Sequence, residues 1–243
     1  MPTGRRAQTG LLVESDDDRL LIDCGSGVLS ALARTEAGYE GVDTVLLTHH
    51  HLDHVSDLLP LVKARWLAGA EHLTIAGPQG TTDLVTDLLD VHEYMQDRID
   101  LRLRDVSGAF ELGGFDVRSH PTRHSMHCLA YRLTPTGSAD PALAFSGDSE
   151  AFTDLVEFAD GAAVFVHDCS FPDAVDVDNH PTPSQLGRAL ATADADLGRV
   201  YLTHLYPHTE GKHDEMLASI AEQYDGEVRM ASEGTRVSVD AVE

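Results

Sequence analysis

The feature that most constrains this chain is the run Thr48-His49-His50-His51-Leu52-Asp53-His54. It follows directly on residues 42–47, an apolar stretch that reads as a buried strand. While the chain stays extended, alternate side chains face opposite sides, so His49 and His51 share one side and His50 takes the other. Asp53 and His54 come as the chain turns into a helix expected over 55–68, where Val55, Leu58, Leu59, Val62 and Trp66 fall near helical spacing. Two imidazoles, then a carboxylate and a third imidazole, therefore converge on neighbouring points. These are ligand types that suit divalent zinc and its neighbours.

One such cluster cannot saturate two tetrahedral ions, and the chain offers more ligands. His124 stands just before an expected strand, in Thr122-Arg123-His124-Ser125. Asp148 stands just after one, in Phe145-Ser146-Gly147-Asp148, and His204 just after another, in Leu202-Thr203-His204. The pattern predicts a dinuclear site built from His49, His51, Asp53, His54, His124, Asp148 and His204. The competing reading, a loop made histidine-rich for solubility, does not explain why every candidate borders an apolar strand. His50, His72, His92, His120, His127 and His213 lack that context and read as surface or packing residues.

Around these points, short β-rich runs alternate with amphipathic stretches. Leu11-Leu12-Val13 and Leu20-Leu21-Ile22 flank the turn-like Ser15-Asp16-Asp17-Asp18, the signature of a hairpin. Helices are expected over 28–34, 81–92, 182–193 and 214–223. Strands are expected over 73–75, 99–103, 115–119, 129–133, 142–145, 163–166 and 200–202, with two short strands closing the chain. Thr182-Pro183-Ser184-Gln185 has the form of a capping box with proline at the first helical position. No internal repeat or linker interrupts the 243 residues, which fit a single domain over 1–243 with packed sheets and helices outside.

The formal charge of -24 is carried with only two lysines, Lys63 and Lys212; the other basic residues are arginines. Such a surface repels itself in dilute salt, whereas at molar salt the Debye length falls to about 3 Å. The composition points to a salt-rich cytoplasm, as in halophilic archaea, against the plainer reading of an ordinary acidic protein. No basic patch of the kind that binds nucleic acid is evident: Arg102 and Arg104 alternate on one expected strand, and Arg5-Arg6 is too short. No apolar run of about 18 residues offers a membrane span, and no apolar stretch follows Arg5-Arg6 as a secretory signal would require. Cys24, Cys128 and Cys169 form neither a CxxC pair nor a disulfide framework and read as buried, reduced residues.

Leu21-Ile22-Asp23-Cys24-Gly25-Ser26-Gly27, the histidine run, His124, Ser146-Gly147-Asp148 and Thr203-His204 together resemble the metallo-β-lactamase superfamily over nearly the whole chain. The resemblance implies an α/β fold, the αβ/βα four-layer sandwich, with two zinc ions, or manganese, at one edge. It implies His49, His51 and His124 at the first metal, Asp53, His54 and His204 at the second, and Asp148 as the bridging carboxylate. Asp23 resembles the residue that orients the histidine loop. His167-Asp168-Cys169-Ser170 is similar to the His-Glu-Ala-Thr segment of the ribonuclease Z group, and Asn179-His180-Pro181-Thr182 to its His-Ser-Thr segment. This implies catalytic roles for Asp168 and His180 on the leaving group, beside Asp53; the competing reading of His180 is a helix-entry residue. By the same resemblance His208, in Pro207-His208-Thr209, lines the pocket, or else it sits in a surface loop. The helix over 55–68 with Trp66 resembles the group's dimer-forming helix, which implies a homodimer.

Three departures from that group stand out. Too few residues separate His124 from Asp148 to hold its long tRNA-clasping arm. Its first strand, ending in a glycine-rich loop, is expected before the region of Pro2 to Gly10, so an N-terminal edge strand is missing from this chain or the true start lies upstream. Its Ser-x-Arg-Tyr stretch is replaced by Leu205-Tyr206-Pro207. The expectation is a metal-dependent phosphodiesterase acting on a small or cyclic phosphodiester or an RNA end. Hydrolysis of lactones, thioesters or other acyl esters remains open, as does a non-catalytic metal-binding role.

Overall fold

In the computed structural model, which describes residues 6–16, 18–138, 143–175 and 177–239, the expected hairpin is β1 (Leu11–Ser15) and β2 (Asp18–Ile22), paired antiparallel. From there the chain climbs by crossovers. β3 (Thr44–Leu46), β4 (His72–Gly77) and β5 (Asp100–Asp105) each join parallel, giving the order β1-β2-β3-β4-β5. The intervening helices are α1 (Val28–Leu32), α2 (Leu52–Val55), α3 (Leu58–Leu67) and α4 (Thr81–Val91). β6 (Ala109–Leu112), a strand the sequence pattern did not announce, ends this part of the chain.

Two units divide the molecule, Pro2–Gly114 and Phe115–Glu243. The C-terminal unit opens with the antiparallel strands β7 (Phe115–Pro121), β8 (Leu129–Pro135) and β9 (Leu143–Phe145). It then switches to parallel pairing for β10 (Val164–Asp168), β11 (Arg199–Thr203) and β12 (Val228–Met230). The helices α5 (Thr153–Phe158), α6 (Pro183–Thr192) and α7 (His213–Ala221) provide its crossovers. The strand expected over 142–145 begins, among the described residues, at Leu143, since Ala142 lies outside them. Of the two closing strands expected, β12 is the one found among the described residues.

Each unit has its own apolar core. In the first, Leu21, Val45, Leu47, Ile75, Leu58, Leu61 and Val85 are wholly shielded. In the second, Phe165, Val200 and Leu202 from the sheet meet Leu186, Leu190, Met216 and Ile220. These parallel strands are buried, which is why they read as continuous apolar runs rather than alternating ones.

One helix expectation is corrected. Residues 55–68 do not form one helix: the segment is α2 and α3, broken at Ser56-Asp57. Pro60 has no amide to give the carbonyl of Ser56, and its ring would clash there. The break is put to use, because Asp57 Oδ2 accepts the amides of Gly27 at 2.9 Å and Leu29 at 3.0 Å, closing the N-terminus of α1. The capping box of α6 is present as expected, with the amide of Thr182 donating to Gln185 Oε1 at 2.9 Å.

Candidate metal centre

In open α/β sheets, chemistry gathers beyond the carboxyl ends of the strands. In the N-terminal unit β2 delivers Asp23 there and β3 delivers the histidine run. Asp23 has a left-handed backbone, φ 60°, and no solvent exposure. Its carboxylate accepts the Thr48 amide at 2.7 Å, the Thr48 hydroxyl at 2.8 Å and His54 Nδ1 at 2.7 Å. The Thr48 hydroxyl in turn lies 3.0 Å from His49 Nδ1, and having donated its proton to Asp23 it accepts from that nitrogen. Both imidazoles are therefore protonated on Nδ1, which leaves their Nε2 lone pairs for a cation.

His49 Nε2 lies 3.0 Å from His51 Nδ1. Ligands bound tetrahedrally at 2.0–2.1 Å sit roughly 3.3 Å apart, so this pair has close to the edge length of a coordination tetrahedron. Asp53, on α2, places Oδ2 4.0 Å from His54 Nε2. His50 points the other way, as alternation requires, and meets the Thr81 hydroxyl at 2.8 Å. Gly25 makes the loop's position attainable: a Cβ there would sit 2.0 Å from the Asp53 carbonyl. Through that close approach the Cys24 amide reaches the His54 carbonyl at 2.7 Å.

In the C-terminal unit three strand ends contribute. β9 runs into Ser146-Gly147-Asp148, with Gly147 at φ 58° turning the carboxylate of Asp148 inward. One oxygen of Asp148, Oδ2, faces two imidazoles, His204 Nε2 at 3.3 Å and His124 Nε2 at 3.9 Å. His204 follows β11 with φ 56°, a strained backbone for a non-glycine residue. The opposite nitrogen of each imidazole is held by oxygen: His124 Nδ1 by the Asn179 carbonyl at 3.3 Å, His204 Nδ1 by Ser170 Oγ at 2.8 Å. Asn179, at φ 68°, fixes His124 with its carbonyl and then hands on to His180.

Asp168 ends β10 without solvent exposure. It accepts His180 Nδ1 at 2.6 Å, the Ser170 hydroxyl at 2.6 Å and the Ser149 amide at 3.3 Å. The His180 and His204 rings stack with centroids 5.3 Å apart and 16° between planes. Ligand atoms of Asp148, His180 and His204 all lie within 4.8 Å of one another. His167 takes the opposite side of β10, against Phe165, where burial lowers its pKa and keeps it neutral. Between His124 and Asp148 the described residues include β8 and β9.

Ser170, which ties His204 to Asp168, was not singled out by sequence reasoning, nor was the Thr48 hydroxyl. A signal existed: Ser170 is two residues beyond Asp168, the spacing that keeps side chains on one side of an extended chain. Phe171 and Tyr206, whose rings lie 6.1 and 6.0 Å from that of His180, were missed as well. All three cysteines are free and buried, as expected.

The donor set suits a divalent metal: imidazole nitrogens oriented by oxygen on their far side, with carboxylates between them. A model of the beta-lactamase superfamily domain matches residues 18–205. The chain belongs to this superfamily, and its fold is the mixed α/β, two-sheet fold that the sequence led us to expect. The ribonuclease Z of Mycobacterium avium (strain 104) is 29% identical over 271 residues, spanning 99% of this chain and 95% of its own length. The probable metallo-hydrolase YhfI of Bacillus subtilis (strain 168) is 28% identical over 245 residues, covering 96% and 93%. The crystal structure of the metallo-β-lactamase fold protein YhfI from Bacillus subtilis superposes with a TM-score of 0.81 over 96% of this chain and 92% of that one. Human tRNase Z, short form, superposes at 0.77 over 99% and 95% with 16% identity, a likeness of fold. Among the described residues no helix is long and apolar enough to cross a membrane. Family and donor set together support a hydrolase that uses a divalent metal.

Proposed function

We propose that this chain is a cytoplasmic two-metal phosphodiesterase, acting on a small or cyclic phosphodiester or an RNA end, with its two units as halves of one domain. In this reading His49, His51 and His124 hold one ion, Asp53, His54 and His204 the other, and Asp148 serves both. Zinc is the first candidate and manganese the second. When bound, two such cations supply Lewis acidity, lowering the pKa of water and neutralising charge on the phosphoryl oxygens.

The observation that carries the reading is the His180–Asp168 pair, 2.6 Å apart and grouped with Asp148 and His204. A phosphodiester with an alkoxide leaving group gains from a proton delivered to the departing oxygen as its P–O bond breaks. As imidazolium, His180 keeps its Nδ1 proton on Asp168 and gives its Nε2 proton to that oxygen. The buried carboxylate fixes the ring and holds its Nδ1 proton. Asp53, whose side chain is about a quarter exposed beside His54, is the third catalytic residue of this scheme. The absence of a tRNA-clasping arm favours small substrates over whole tRNA. The homodimer belongs to the same reading, and the exposed Leu67 at the end of α3 is consistent with it.

His180→Ala tests the role. Turnover of a diester with a poor leaving group is expected to fall about 10²- to 10⁴-fold, with much less effect on an activated nitrophenyl diester and with metal content retained. Equal loss on both esters removes the leaving-group role. Activity on lactones or thioesters alone, in a substrate panel run at high salt, removes the phosphodiesterase.

A further inference from the structure

We propose that Phe171, Tyr206 and His208 form a stacking subsite beside His180 that accepts a planar ring, which for a phosphodiester substrate is a nucleobase. The proposal rests on the phosphodiesterase reading for the identity of that ring. Phe171 is buried and forms the floor. The Tyr206 ring lies over it with centroids 4.7 Å apart and a tilt of 30°, and the exposed His208 ring lies 5.4 Å from it at 50°. The platform is continuous with the site, since the Tyr206 ring is 5.5 Å from His204 and 6.0 Å from His180. Exposure rises along the cluster from Phe171 through the half-buried Tyr206 to His208, so its outer rings reach solvent.

The platform is also rigid. The Tyr206 amide donates to the Ser170 carbonyl at 3.1 Å, and the Tyr206 carbonyl accepts the Thr209 hydroxyl at 2.8 Å and amide at 3.0 Å. Thr209 is wholly buried and Pro207 fixes the backbone between them. Ring positions held before a ligand arrives lower the cost of ordering them on binding. A protein of charge -24 gains little by attracting an anion at long range. Stacking relies on apolar surface and dispersion, which salt does not screen. It also tolerates any base, because every base has a flat face.

The test is calorimetric binding to the metal-loaded protein in high salt, comparing adenosine 5′-monophosphate with ribose 5-phosphate, which differ only by the ring. Wild type is expected to bind the nucleotide roughly 5- to 150-fold tighter. In Tyr206→Leu that ratio is expected to collapse toward one, in His208→Ala to shrink, and in Tyr206→Phe to survive. Equal affinity of the two ligands for wild type overturns the subsite, as does an undiminished ratio in both Tyr206→Leu and His208→Ala. Should Tyr206→Leu fail to fold, His208→Ala and the wild-type ratio still decide. Because turnover is not read, a protein that discriminates the ring yet hydrolyses no diester refutes the hydrolytic reading alone.

Discussion

The two units carry the same four-part device on different chain segments. In each, a fully buried aspartate at the end of a parallel strand accepts one backbone amide, one hydroxyl and one imidazole Nδ1. For Asp23 these come from Thr48 and His54; for Asp168 they come from Ser149, Ser170 and His180. In each, the hydroxyl continues to a second imidazole, His49 in one unit and His204 in the other. The difference lies in what the imidazoles do. Asp23 orients two proposed metal ligands, whereas Asp168 orients one proposed ligand and one proposed acid. A single arrangement can thus serve metal binding or proton transfer, depending on what its imidazoles face.

Exchanging each carboxylate for its amide should separate those duties, with a larger effect than the substitutions that follow. Asp23→Asn keeps the shape but offers an amide NH₂ where two donors converge. Metal affinity, read by chelator competition, should drop about 10- to 100-fold, and thermal stability should fall because buried donors lose their acceptor. Asp168→Asn should cost far more in turnover than in metal affinity. If both variants lose metal to the same degree, the functional contrast between the two devices is wrong.

The hydroxyl links sharpen the comparison with a smaller effect. Thr48→Val removes the link to His49, and Ser170→Ala the link to His204, and each proposed ligand loses the group that fixes its tautomer. Each is expected to weaken metal binding by no more than about 10-fold, the lower end for such partners. Ser170→Ala should in addition leave the dependence of rate on leaving-group pKa close to that of wild type, since His180 bonds Asp168 directly. A steep new dependence would place Ser170 in proton transfer instead of ligand orientation.

How much of this was legible differs between the units for a physical reason. The histidine run is contiguous, and strand alternation alone sorts His49 and His51 from His50. Residues 42–47 announce the strand beneath it. The C-terminal set is scattered over three strand ends, so His124, Asp148 and His204 were visible as strand-end ligands, while their grouping at Asp148 Oδ2 is a matter of tertiary structure. The tandem roles of Asp168 and His180 came from resemblance, not from spacing. Tyr206 stayed hidden because a tyrosine after a strand carries no periodic signal, and Ser170 because its two-residue step from Asp168 is common to any extended chain. The split of residues 55–68 into two helices was readable from Pro60, but the apolar spacing of Val55, Leu58, Leu59 and Val62 outweighed it.

A second pair of carboxylates extends the parallel to the helices and yields the smallest effect. Asp105 accepts the amides of Gly80 and Thr82, both at 2.9 Å, at the start of α4. Asp173 accepts the Ser184 amide at 2.9 Å at the start of α6 and the hydroxyl of Ser219 on α7 at 2.6 Å. The pKa of Asp105 is lowered by those backbone amides. Burial acts to raise that of Asp173, but the bonds from Ser184 and Ser219 outweigh it and the net shift is downward. A carboxylate with a depressed folded-state pKa stabilises the fold fully above its unfolded value, near 3.8 for aspartate, and that contribution is lost as pH falls through the lower folded value. Asp105→Asn and Asp173→Asn should therefore each cost at most about 1 kcal/mol in denaturant unfolding at pH 7, solvent screening limiting both. The gap from wild type should close in acid, below the ordinary carboxylate range. Asp173→Asn alone should also loosen α6 from α7, visible as faster amide exchange at Ser184 and Ser219. Should Asp105→Asn match it in range as well as in size, the two caps are equivalent, and the C-terminal unit has no special need to brace the helix that follows His180.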